Sequence, residues 1–148
     1  GVVPTPTDVQ WTERTIADDP RITLHRDLGH DKLLQFMRRA HVFVSTTFAD
    51  PFNNTVLEAM GAQLPVISSN ISSIPEIVEH DRNGWLLEVT DRPSDAIADE
   101  IAEKLRSLMD SPELLTRMSG NSLAVVREKF DIDVRNARIA ALYDQALA

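Results

Sequence analysis

Two spacings of hydrophobic residues alternate along the first part of the chain. Short runs in which apolar residues alternate or follow one another directly are typical of strands. Four such runs predict strands: "RITLH" (21–25), "VFVST" (42–46), "PVISS" (65–69) and "WLLEV" (85–89), the last preceded by a turn at Asn83-Gly84. The second run is almost continuously apolar, so we expect a strand that is buried on both faces of a sheet.

Apolar residues at helical spacing fill the intervals and dominate the rest of the chain. The predicted helices are "DKLLQFMRRA" (31–40), "NNTVLEAMGAQ" (53–63), a short one after Ser73, "SDAIADEIAEKLRSLM" (94–109), one that starts at Ser111-Pro112, and a last one at about 133–147. Ser73 and Glu76 have the spacing of a capping box, and Pro112 follows a serine as at many helix starts. Strands that alternate with helices predict an α/β fold, a Rossmann-like parallel sheet with flanking helices.

The composition narrows the class of function. The 148 residues suffice for one domain with a hydrophobic core. A formal net charge of -8 argues against nucleic-acid binding, and the absence of cysteine excludes disulfides and thiolate metal sites. No apolar run approaches the roughly 20 residues that span a bilayer, and no signal-like start is present, so we expect a cytoplasmic protein. The histidines have no metal-ligand spacing, so no metal site is predicted.

The segment between the second predicted strand and the next helix holds the candidate site, because ligands of such sheets bind at the carboxyl ends of strands. At the helix start, near Asn53, unpaired backbone N–H groups and the helix dipole can hold a phosphate. Asn54 and Thr55 add small polar side chains there. Glu58, in the second turn, can hydrogen-bond ribose hydroxyls, and Asp50 in the preceding loop can bind a second hydroxylated group. A phosphate between two such carboxylates predicts a nucleotide sugar.

Three structural interpretations stay open beside this one. Asn53 can serve only as the helix cap. Glu58 can be a solvated helix residue, and Asp50, which precedes Pro51, can be an ordinary turn residue. The local sequence alone does not choose between these roles and nucleotide-sugar binding.

The span "HVFVSTTFADPFNNTVLEAMGAQLPVISSNISSIPEIVEHDRNGWLLEV" resembles a known family. It is similar to the donor-binding domain of retaining glycosyltransferases with the GT-B fold, the glycogen-synthase-like and mannosyltransferase-like group (glycosyl transferases group 1). The order "LEAM…PVI…PEIV…NGWLL" carries the resemblance. The match continues upstream through "RITLHRDLGHDKLLQFMRRA" and downstream into the final helices, so it covers nearly the whole chain.

The resemblance assigns roles to individual residues. It implies that Glu58 holds the ribose hydroxyls and that Asp50 takes the first acidic position, near the transferred sugar, as the catalytic residue. The backbone from Phe52 to Val56 would contact the sugar and the diphosphate, and the segment from Arg26 to Gly29 would lie near the nucleotide base. The implied reaction transfers a glycosyl group from a nucleotide sugar with retention of configuration, without a bound metal or a cofactor.

Four residues, at three places in the sequence, depart from the family pattern. Asp50 stands where the family usually has Glu, so its side chain is shorter by one methylene group. Asn53 replaces a glycine that lets backbone and donor approach closely, and so it either adds a hydrogen bond or narrows the site. Ser72-Ser73 replaces a Gly-Gly pair in the next loop.

The resemblance also implies an incomplete domain. Residues 1–148 correspond to part of a C-terminal donor-binding domain, without its first two strand–helix units. The N-terminal domain, which holds the acceptor (a sugar or a lipid-linked glycan), is absent as well. We therefore expect this fragment alone to be inactive and the full-length protein to be cytoplasmic or peripheral to a membrane.

The absence of two strands has a structural consequence. In the strand order 3-2-1-4-5-6 it separates "RITLH" from "VFVST" and leaves a hydrophobic edge on the sheet. We expect a second copy of the chain (a homo-oligomer) or an exchanged segment to supply the missing strands, or "RITLH" to take another position.

Two other functions remain as alternatives. The first is a non-catalytic nucleotide-sugar-binding or assembly module, in which Asp50 and Asn53 mark a degenerate site. The second is another GT-B enzyme, such as an epimerase or phosphorylase relative, against which the "LEAM" and "PEIV" contexts argue.

Overall fold

The computed structural model describes residue 16 and residues 19–47 and 53–147. The chain divides into two units, Gly1–Leu33 and Leu34–Ala148. The sheet and both hydrophobic clusters lie in the second unit.

Three strands form one parallel sheet within the described residues. They are β1 (Phe43–Ser45), β2 (Val66–Ser69) and β3 (Gly84–Leu87), in the order β1-β2-β3. The helices are α1 (His30–Met37), α2 (Asn54–Gly61), α3 (Ile74–Ile77), α4 (Ser94–Asp110), α5 (Pro112–Val125), a π-helical turn (Val126–Phe130) and α6 (Ile132–Leu147). The predicted α/β class, a Rossmann-like parallel sheet with flanking helices, is confirmed.

The core lies on both faces of β2, whose four residues are all buried. Val66 and Ile67 point to opposite faces because successive strand residues alternate. The Val66 face packs against α2, α3 and the end of α5, and the cluster consists of Val56, Met60, Val66, Ile74, Ile77, Val78 and Val125. The Ile67 face packs against α4 and α5, and the cluster consists of Ile67, Trp85, Leu87, Val89, Ile97, Leu108 and Met118.

The prediction of a strand at 21–25 is wrong. Residues 22–26 have no regular secondary structure, and the side chains of Ile22 and Leu24 are exposed. No described strand pairs with this segment, and an unpaired extended segment lacks the ladder hydrogen bonds that stabilise a strand.

Two further expectations are wrong in their details. The run at 42–46 forms β1, but it is not buried on both faces, because Val44 is 40% exposed. The capping box at Ser73 and Glu76 does not form. Ser73 has helical rather than extended backbone angles, and its buried hydroxyl has no partner among the described residues.

The remaining elements agree with the sequence to within a few residues. Asn83 ends a turn directly before β3, as predicted. Ser111 caps α5, with its Oγ accepting a hydrogen bond from the Leu114 N–H at 3.2 Å. In the described part of the chain, no helix is both long and apolar enough to cross a bilayer.

Candidate functional site

Two hydrogen bonds join the last residues of β2 to the carboxyl end of β1 and the chain that follows it. Ser68 donates its hydroxyl to the Ser45 carbonyl oxygen at 2.8 Å, and Ser69 donates its hydroxyl to the Thr47 carbonyl oxygen at 2.5 Å. Both serines are fully buried. The chain that leaves β1 is therefore attached to β2 as far as Thr47, two residues beyond the strand.

Asn53 is the N-cap of α2. Its Oδ1 accepts a hydrogen bond from the Val56 N–H at 3.2 Å, and its side chain is 7% exposed. The interpretation of Asn53 as a helix cap is thus confirmed. The Val56 N–H is already bonded, whereas the N–H groups of Asn54 and Thr55 have no intrahelical acceptor by helix geometry.

The helix α2 has one polar and one buried face. Asn54 and Thr55 precede Glu58 by four and three residues, so all three share a face, and the Glu58 side chain leans towards the N-terminus. Asn54 is exposed, and Thr55 and Glu58 are half-buried. The opposite face is buried in the core through Val56, Ala59 and Met60.

The electrostatics at this helix start favour an anion. The first turn of α2 contains no acidic residue that would neutralise the positive end of the helix dipole. Backbone N–H groups at a helix start are suitable donors for a phosphate. Glu58, one turn further, is an acceptor for hydroxyl groups. The arrangement can therefore bind a ligand that combines a phosphate with neutral hydroxyls.

The structure brings only part of the predicted site together. Asn53, Asn54, Thr55, Val56 and Glu58 share α2 and its cap.

The other predicted residues lie elsewhere. Asp50 and Phe52 fall outside the described residues. Arg26 and Gly29 belong to the first unit, where the Gly29 carbonyl accepts a hydrogen bond from the Lys32 N–H at 3.0 Å and so starts α1. Their role near a nucleotide base stays a prediction.

The loop after β2 has an unusual backbone. Ser72 has a φ of 50°, in the left-handed region that favours glycine. It occupies a position where the family pattern has glycine, so a serine here adopts a left-handed φ that glycine adopts more easily. Asn70, at the start of the loop, donates its side-chain amide to the Glu88 carboxylate, which follows β3.

Ser68 and Ser69 were missed as contributors to this site. The sequence predicts them only as residues of a strand. The available signal was a polar pair inside a strand predicted to be central, because buried hydroxyls are almost always hydrogen-bonded. Their partners, 23 and 22 residues earlier in the chain, were not predictable from local sequence.

Comparison with known proteins decides the family. The model of the family described as "Glycosyl transferases group 1" matches residues 3–108, more than half of the chain. The chain belongs to this glycosyltransferase family. The expected family is therefore confirmed.

A curated relative shows what kind of protein the family contains. The chain is 28% identical over 120 residues to the D-inositol 3-phosphate glycosyltransferase of Streptomyces scabiei, which covers 81% of this chain and 25% of the relative. The chain thus spans about a quarter of the length of the first curated relatives that it matches.

Solved structures establish the fold. Sucrose-phosphate synthase from Thermosynechococcus elongatus matches with a TM-score of 0.76 at 20% identity, over 95% of this chain and 34% of that one. HepE from Anabaena, solved in complex with UDP-glucose, matches with a TM-score of 0.75 at 20% identity, over 94% of this chain and 36% of that one. The predicted GT-B type of fold is confirmed.

Proposed function

We propose that the chain binds a nucleotide sugar and forms the donor-binding part of a retaining glycosyltransferase. The observation that carries the proposal is the polar face of α2, where the N-terminus capped by Asn53 and the Glu58 side chain share one side of the helix. Membership of the glycosyltransferase family supports the reaction class. Residues 1–148 are then part of a C-terminal donor domain.

Each group on this face has a task that fits its chemistry. The diphosphate lies at the helix start, where the N–H groups of Asn54 and Thr55 and the helix dipole attract it. Glu58 accepts hydrogen bonds from the ribose hydroxyls. Asp50 and Phe52, which precede the helix in sequence, contact the transferred sugar, and Asp50 is the catalytic residue.

The attraction must be local because the whole chain is acidic. A formal net charge of -8 repels an anionic donor at long range, and it disfavours nucleic acid for the same reason. Backbone dipoles act at short range and oppose this repulsion at one point only. The proposal therefore predicts a small anionic ligand with hydroxyl groups rather than a polyanion.

In this function, the chain binds the donor and a separate domain binds the acceptor. The acceptor, a sugar or a lipid-linked glycan, binds to that other domain, so this chain alone binds the donor without transferring it. The nucleotide sugar is a substrate, and the proposal includes no resident metal or cofactor. The reaction takes place in the cytoplasm, at the membrane surface where the acceptor is lipid-linked.

A binding measurement tests the site. Isothermal titration calorimetry of the intact protein with UDP-, GDP- and ADP-sugars should identify one nucleotide class that binds. Glu58→Gln removes a charged acceptor, whose hydrogen bonds are worth about 1.5–3 kcal/mol, so we expect the dissociation constant to rise about tenfold or more. Glu103→Gln, at an exposed position on α4, is the matched control and should bind as the wild type does.

Transfer assays separate the enzyme from the non-catalytic alternative. Asp50→Ala and Glu58→Ala in the intact protein should each abolish glycosyl transfer to an acceptor. Transfer that survives both changes contradicts the site assignment. If the intact wild-type protein, with its acceptor-binding domain, binds the donor and transfers nothing, the result supports the alternative of a binding module with a degenerate site.

A further inference from the structure

The end of β2 contains two hydroxyl groups in the most buried part of the sheet. Ser68 and Ser69 are fully buried, and the other two residues of β2 are buried as well. A buried hydroxyl without a partner is costly, so each serine needs a defined acceptor. Both acceptors are backbone carbonyls of the chain that leaves β1.

The two hydrogen bonds differ in what they attach. Ser68 lies opposite Ser45 in the register of the sheet, so its bond reinforces a pairing that the strand ladder already makes. Ser69 instead reaches Thr47, which lies beyond the last paired residue of β1. Its hydroxyl therefore extends the attachment of β1 past the end of the ladder.

The helix side of the same connection is held as well. Asn53 caps α2 through its side chain and is buried. The start of α2 is also held against β2, because Val56 and Met60 pack with Val66 in one buried cluster. Ser69 therefore fixes Thr47 to the same strand against which α2 packs. The start of α2, which the proposed function assigns to the diphosphate, comes directly after Asn53 in the chain.

We propose that Ser69 is a positioning residue for nucleotide-sugar binding. Its hydroxyl sets the exit of β1 against the start of α2, whereas the Ser68 hydroxyl only stabilises the sheet. This inference rests on the proposed function, because the ligand is the nucleotide sugar of that site. Sites of this kind are sensitive to small displacements, and a shift of about 1 Å at a binding group can cost orders of magnitude in rate.

The neighbouring serine supplies a matched control. Ser69→Ala and Ser68→Ala each delete one buried hydrogen bond from adjacent residues of β2, so we expect similar decreases in melting temperature. Only Ser69→Ala should weaken binding of the nucleotide sugar, raising the dissociation constant about fivefold to tenfold, a range set by the modest net energy of one hydrogen bond. Ser69→Thr keeps the hydroxyl and should restore affinity, and Ser69→Cys, a weaker donor, should give an intermediate value.

A second measurement does not depend on the ligand. Hydrogen–deuterium exchange of the backbone N–H groups at 54–56 should be faster in Ser69→Ala than in both the wild type and Ser68→Ala. If Ser69→Ala does not fold, the same comparison is made with Ser69→Cys.

The outcomes distinguish this inference from the proposed function. If the wild type binds a nucleotide sugar and Glu58→Gln weakens binding, but Ser69→Ala binds as the wild type does, only the inference is wrong. Equal loss of affinity in Ser68→Ala and Ser69→Ala also overturns it, because the effect is then one of stability. If the wild type binds no nucleotide sugar, the proposed function is wrong, and the inference falls with it.

Discussion

At the scale of single residues, Gly84 shows where the sheet leaves no room for a side chain. A Cβ atom at this position would lie 1.9 Å from the Val66 carbonyl oxygen and 2.8 Å from its carbonyl carbon. Both are backbone atoms of β2, which cannot move without disturbing the ladder. Gly120, in α5, is the opposite case, because a Cβ atom there would meet nothing within 4 Å.

The two glycines should respond to alanine with opposite signs. We expect Gly84→Ala to lower the free energy of unfolding by about 3 kcal/mol or more, because backbone must move to relieve the clash. Gly120→Ala should raise it by up to about 1 kcal/mol, because alanine favours the helix. Urea denaturation followed by circular dichroism measures both. A Gly84→Ala variant as stable as the wild type would contradict the close approach of β2 and β3.

The residues of the candidate site show which contacts local sequence can predict. The role of Asn53 as a cap was foreseeable because its partner, Val56, lies three residues ahead. The contact of Ser69 was not, since Thr47 lies 22 residues earlier and becomes a neighbour only through strand pairing. The helix at 53–63 was predictable from its helical spacing, and in the structure Asn54, Thr55 and Glu58 share its polar face.

At the scale of elements, an ion-pair network joins the segment after α3 to the π-helical turn. The Glu79 carboxylate accepts hydrogen bonds from Lys129 and from Arg82, each at 2.6 Å. Arg82 also lies 3.6 Å from Glu128. The hydrogen bonds from Lys129 and then Arg82 lower the pKa of Glu79 below its ordinary value of 4.5. The network therefore contributes stability only while Glu79 is ionised.

This network predicts a pH dependence with a definite sign. Because the pKa of Glu79 is lower in the folded state, its contribution is fully present above pH 4.5 and is lost as the pH falls through the lowered value. Glu79→Gln should thus melt at a lower temperature than the wild type near neutral pH, and the two should converge in acid. Glu103→Gln, on α4, is the control and should show a smaller difference throughout. A difference for Glu79→Gln that grows with acidification would contradict the network.

The elements that were predicted correctly are those whose signal is local and repeated. The helix α4 has apolar residues at helical spacing over 17 residues, and α5 begins at a serine cap followed by proline. The segment 21–25 has the alternation of a strand, but a strand also needs a paired neighbour, which its own sequence does not encode. The exposure of Val44 could not be predicted for a similar reason, because it depends on which other elements pack over β1.

At the scale of the whole molecule, β1 is one of the two edge strands of the sheet that the described residues form. Within the described residues, β2 pairs with one edge of β1 and no strand pairs with the other. An exposed edge with apolar residues tends to pair with another strand. As part of the proposed function, we infer that a second copy of the chain or an exchanged segment pairs with this edge.

Sedimentation velocity of residues 1–148 tests this inference. Dimers should form as the concentration rises, and Val44→Lys should shift them to monomers, because a lysine at an edge strand opposes pairing. Leu142→Lys is the control, since Leu142 is exposed on α6, away from β1 in sequence, and 64% of its surface is accessible. If Leu142→Lys dissociates the dimer and Val44→Lys does not, α6 is the contact instead of the strand edge. A wild-type chain that stays monomeric at every concentration contradicts pairing through β1 altogether.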